Sequence, residues 1–147
     1  MQADAKRWLG TLHHNLGVTW LELGDPAPAA RHLRLAIVDY EARGDRPGVR
    51  TARCYLARAL RLLERPAEAL AMLLGDAGPT GQDPLDGLVH AELGECLLAL
   101  DRAADARPYF ARAHHLLSRQ PPVAARNQEW LQHLAELGQL TPGSLES

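Results

Sequence analysis

The sequence predicts an all-α chain of helical hairpins closed by a C-terminal helix, and three observations carry that expectation. Ala and Leu fill about a third of the 147 residues, while Val, Ile and Thr together number eleven. Helices favour the first pair and strands favour the second group. Apolar residues recur at helical spacing along most of the chain, and a pattern of small and large residues returns three times. The length suits one domain, expected over residues 1–140, with a polar, disordered tail at 141–147.

Taken in order, helices are expected over 3–24, 26–43, 46–64, 66–75, 84–101, 103–119 and 123–139. Asp25 and Asp101 suit N-caps, and Pro26 and Pro66 suit the first helical position; Asp83-Pro84 repeats that signal. The run Gly75-Asp76-Ala77-Gly78-Pro79-Thr80-Gly81-Gln82-Asp83 reads as a long loop that shortens the preceding helix. The hairpins therefore fall at about 3–43, 46–75 and 84–119. At the N-terminus Trp8, Leu12 and Leu16 extend the first helix and are placed to cover the open end of the first hairpin. The last helix, 123–139, turns Val123, Trp130, Leu134 and Leu137 inward and Arg126, Gln128, Glu129 and Gln132 outward, as a cap that keeps a stack soluble.

The repeat is specific. Leu16-Gly17 is followed by Trp20, Ala29, Leu33 and Ala36; Leu93-Gly94 is followed by Leu97, Ala106, Phe110 and Ala113, with the same internal offsets. A middle copy runs Leu56-Ala57, Leu60, Ala69, Leu73 and then departs at Asp76. Antiparallel helices approach closely only where a side chain at the crossing is small. Gly17, Ala57 and Gly94 are therefore expected to mark the contact on each first helix, and Ala29, Ala69 and Ala106 on each second helix. Such a hairpin cannot bury its apolar face alone, so the units are expected to stack.

These positions resemble the tetratricopeptide repeat over residues 8–119. The periods of 40 and 37 exceed the family's usual ~34 residues. His13, Arg53 and His90 replace its early aromatic, and its terminal proline is missing from all three copies. The longer units look like those of bacterial regulators and signalling ATPases. The resemblance implies a right-handed α-solenoid whose concave groove is lined by the first helix of each pair. By register with the family, groove positions are His14, Val18 and Leu21, then Thr51, Cys54, Arg58 and Arg61, then Ala91, Glu95 and Leu98, with Leu62 adding apolar surface. Family members that clamp two carboxylates need Lys and Asn where His14 and Val18 stand, so that ligand is disfavoured.

Charge points the same way. Residues 1–74 hold 11 basic and 8 acidic groups, and residues 75–147 hold 5 and 10. Arg50, Arg53, Arg58, Arg61 and Arg65 share one arc of the third helix, which could dock an acidic or C-terminal carboxylate segment through bidentate hydrogen bonds. A solvated helix face is the plainer alternative; Arg58 could also pair with Glu95, a contact worth about 0–1 kcal/mol at a surface.

Other classes are disfavoured. No apolar run reaches the ~18–20 residues that span a bilayer, and the N-terminus lacks a secretory pattern, so a cytoplasmic protein without a membrane partner is expected. Cys54 and Cys96 lie in apolar helical patterns and read as reduced thiols. Net charge −2, pI near 6.4 and the lack of an aromatic ladder argue against nucleic acid. The adjacent pairs His13-His14 and His114-His115 diverge by about 100° on a helix, and no His pair has i, i+4 spacing, so no metal is expected. His13 and His90 are expected at hairpin interfaces with one ring nitrogen hydrogen-bonded. No nucleophile or phosphate-binding motif occurs. The reading is a cofactor-free, non-enzymatic module that binds a protein or peptide, acidic by preference. The alternative is a ligand-sensing or self-associating (homo-oligomeric) segment of a larger bacterial transcription regulator or signalling ATPase.

Overall fold

The computed structural model of the chain describes residues 8–75, 84–120 and 128–139. Among them lie seven helices and no strand: α1 Trp8–Glu22, α2 Pro26–Ala42, α3 Arg46–Leu62, α4 Pro66–Leu74, α5 Pro84–Ala99, α6 Ala103–Ser118 and α7 Gln128–Leu137. The fold is all-α, as the composition requires, and each helix lies within its expected span. The extensions over 3–7 and 123–127, most of the long loop and the tail lie outside the described residues. Among the described residues no helix is long and apolar enough to cross a membrane.

The chain's contacts group into two units, residues 1–72 and 73–147. In the first, α2 packs against both α1 and α3, and α1 also touches α3. In the second, α6 packs against α5 and α7.

The small residues sit where the spacing puts them. A methyl group built on Gly17 would lie 2.5 Å from Leu33 Cγ and 3.3 Å from the Ala29 carbonyl. One built on Gly94 would lie 2.7 Å from the Phe110 ring. These separations are shorter than carbon atoms tolerate, so in each hairpin the large residue of the second helix fills the notch left by the first. Leu33 is 0% and Phe110 1% exposed, and full burial of such a side chain stabilises by about 1.5–3 kcal/mol. Ala29, Ala57, Ala69 and Ala106 are buried as expected. Gly87 opens a further notch, against Leu117 on α6.

One turn serves four connections. After α1, α2, α3 and α5 the chain enters the left-handed region at Gly24 (φ 81°), Gly44 (69°), Glu64 (63°) and Asp101 (61°). The following amides of Asp25, Asp45, Arg65 and Arg102 donate to Trp20, Tyr40, Leu60 and Leu97 carbonyls, each at 2.9 Å. Gly24, Gly44, Glu64 and Asp101 donate three residues back, at 3.0–3.1 Å. This paired pattern is the Schellman motif, which satisfies the last carbonyls of a helix. Asp101 is thus not the N-cap that its residue type suggested. The turn needs a left-handed residue there, which Asp tolerates, and Arg102 becomes the N-cap without a side-chain capping bond. Asp25 does occupy its N-cap, also without such a bond, whereas Asp45 accepts from Gly48 N at 3.0 Å.

α5 is buried on nearly every side, including the carboxylate-bearing Asp86 and Glu92. α7 buries Leu131, Leu134 and Ala135. Trp130 and Leu137, expected inward, are half-buried, while Gln128, Glu129 and Gln132 face outward as expected. The buried stripe is turned toward Gly138, where a methyl group would meet the Ala111 backbone nitrogen at 2.9 Å.

Because Glu64 and Asp101 are exposed and left-handed, Glu64→Gly and Asp101→Gly should each raise stability by about 0.5–1 kcal/mol, the left-handed penalty less the extra chain entropy of glycine. Urea melts check this, with the midpoint rising and the slope unchanged.

Candidate functional site

α1 and α3 run side by side in the first unit because each packs antiparallel to α2. On α3, Thr51, Tyr55, Arg58 and Leu62 follow the i, i+4, i+7, i+11 spacing of one helix stripe. Thr51 and Tyr55 are half-buried, and Arg58 and Leu62 are exposed. On α1, His14, Val18 and Glu22 form the facing stripe, and the His14 ring meets Tyr55 edge-on at 5.4 Å and Tyr40 of α2 at 6.4 Å. The outcome is a strip with an aromatic cluster at one end, apolar Val18 and Leu62 along it, and a guanidinium on its rim.

The expected residues divide accordingly. His14, Val18, Thr51, Arg58 and Leu62 come together on this strip. Leu21, Cys54 and Ala91 are buried and contribute to packing. Arg61 and Glu95 are half-buried and engaged in interactions of their own. Ala91, Glu95 and Leu98, 38% exposed, belong to α5 in the second unit.

The arginine arc is not one open face. Ala57, in its midst, is 0% exposed. Arg53 Nη2 donates to the Met72 carbonyl of α4 at 3.1 Å, and Arg65 pairs with Glu68. This side of α3 meets α4, and arginine stems lie along it because their methylenes bury readily while the charged heads find partners. Of the five, Arg58 stands exposed on the strip.

Electrostatics follow from burial. Desolvation pulls the His14 imidazole below its usual 6.5, and its buried Nδ1 meets no hydrogen-bond partner among the described residues. Burial raises the Tyr55 hydroxyl above 10.0, with Cys54 and Glu22 adding to the rise and Arg58 opposing it. At neutral pH the His14 imidazole and the Tyr55 hydroxyl are therefore uncharged.

Tyr40 and Tyr55 are not among the expected groove positions. The signal for them is chemical: a tyrosine at the edge of a helix interface puts its ring in the core and its hydroxyl at the surface. His13 and His90 behave as expected, with His13 Nδ1 3.1 Å from His32 Nδ1 and His90 Nδ1 2.7 Å from the Asp86 carbonyl. Both cysteines are buried and neither is in a disulfide. Among the described residues no group of three or more His, Cys, Asp or Glu side chains is placed to hold a metal. Set against family models, curated proteins and solved structures, the chain finds no match.

His14 yields a pH prediction. A histidine whose folded pKa is depressed stabilises fully above its unfolded value, and that contribution declines as pH falls from 6.5 toward the folded value. His14→Phe keeps the ring contacts and removes the orphaned nitrogen. It should add about 1 kcal/mol near neutral pH and flatten part of the acid-side fall, measured by denaturant melts across that range.

Proposed function

We propose that this chain is a non-enzymatic protein-interaction module of the tetratricopeptide type, its hairpins forming a right-handed α-solenoid. In this reading the strip between α1 and α3 accepts an acidic peptide or helix of another protein. The observation that carries it is the strip itself: His14, Val18, Tyr55 and Leu62 offer half-exposed apolar and aromatic area beside the exposed Arg58 guanidinium, on helices locked by the Gly17 notch. Support for the repeat type comes from the shared offsets at Gly17, Ala57 and Gly94. A rigid platform gains affinity because little ordering entropy is lost on binding, and a rim arginine orients a carboxylate. Arg58, rather than the whole arginine arc, sets the acidic preference, since the other four are half-buried or paired.

Self-association is a second reading, favoured by exposed Trp8 and Leu12 on α1 and Leu35 and Val38 on α2, which are 41–65% exposed. Light scattering over a wide concentration range separates it: a dimer that forms on concentration supports it, and a constant monomer mass removes it.

An array of acidic and basic peptides of matched length tests the first reading. Acidic peptides should be retained, with affinity falling as salt rises, and Arg58→Glu should weaken them by about tenfold or more, as for loss of a charge-assisted hydrogen bond. Equal retention of basic peptides, or unchanged affinity in Arg58→Glu, would remove the reading.

A further inference from the structure

His13 of α1 and His32 of α2 meet across the first hairpin with their Nδ1 atoms 3.1 Å apart. Their ring planes differ by 25°, and their centroids are 5.3 Å apart, close to the nitrogen separation plus the two ring radii. The nitrogens therefore point at each other head-on. That gap suits a proton shared between the two nitrogens.

A head-on pair obeys a strict rule: one Nδ1 donates and the other accepts. Two neutral rings satisfy it through one Nδ1–H tautomer. A single added proton strengthens the bond by making it charge-assisted. A second added proton turns both nitrogens into donors and sets two positive rings against each other. We propose that His13 and His32 form a single-proton clamp, which fastens α1 to α2 until a second proton enters and then releases α1.

The surroundings favour this behaviour. His32 is held below its usual value by burial first, then by His13 and by Arg31 beside it. Asp39, further along α2, lies against Gly10 and is occupied by Arg43 Nε at 3.0 Å. Glu68 of α4 is bound to Arg65 and lies 3.9 Å from Arg34. α3 meets the other side of α1, where Tyr55 touches His14, and no charge from α3 is among those acting on His32. The shift therefore works against the second proton, so the hairpin is firm at neutral pH. As pH falls below 6.5 its stability declines, because the unfolded chain binds the proton more readily.

The test combines histidine ring NMR with amide hydrogen exchange on the full chain between about pH 8 and pH 5. The two rings should take up their protons in two coupled steps, with the His32 imidazole held below its usual value. Exchange protection of α1, corrected for intrinsic rate, should drop at least about tenfold more than that of α6 on acidification. In His32→Gln the amide both donates and accepts at any pH, so the acid loss in α1 should shrink to the share that His14 contributes, while His14→Gln should keep the share that belongs to the pair. If the two rings titrate independently of each other, or if α1 loosens in acid equally with His32→Gln, the clamp does not exist.

Discussion

Close approach of two helix backbones at a glycine is the constraint from which the rest of this structure follows. At Gly17 there is no space for even a methyl group beside Leu33, and at Gly94 none beside the Phe110 ring. Dispersion forces fall away within fractions of an ångström, so a notch filled to this degree fixes both the separation and the axial register of its hairpin. Register then decides which side chains meet further along. His13 reaches His32, and Asp39 comes to lie against Gly10, because Gly17 and Leu33 have already set the offset between α1 and α2.

The turns make a second, independent contribution. With the same carbonyl-satisfying geometry after four helices, each following helix leaves in a comparable direction, whatever residues occupy the left-handed position. Two glycines meet that requirement without strain, whereas Glu64 and Asp101 do so at a conformational cost. The cost is tolerated because the helices on either side are held by packing, and most helical stability comes from tertiary contact. Because the α2–α3 turn matches the turns within hairpins, α1, α2, α3 and α4 succeed one another through equivalent connections, and α1 and α3 come to lie on one side of α2.

The helices and their notches were legible in the sequence because both depend on local or periodic signals: apolar spacing, prolines at first turns, and tiny residues at fixed offsets. The site was legible only in part, since its residues depend on which face each helix presents. Arg50, Arg53, Arg61 and Arg65 share an arc with Arg58, yet that arc meets α4, and an arginine stem packs against a neighbour as readily as it faces water. Tyr55 falls outside the groove positions that the repeat register marks, and only its place beside His14 brings it to the strip. Asp101 reads as a cap until the preceding helix's need for a left-handed residue is weighed against the next helix's need for a capping oxygen. His32 had no visible relation to His13, because nothing in linear spacing links two positions that only a folded hairpin brings together.

The notch at Gly17 can be interrogated by a double-mutant cycle with Leu33. Gly17→Val alone should lower stability by about 2–3 kcal/mol through overpacking. In a Leu33→Ala background, where the space is already vacant, it should cost distinctly less, leaving a coupling of at least about 1 kcal/mol. If the two changes simply add, or if Gly17→Val is tolerated without loss, the hairpin is not held by this contact and the account built on it is wrong.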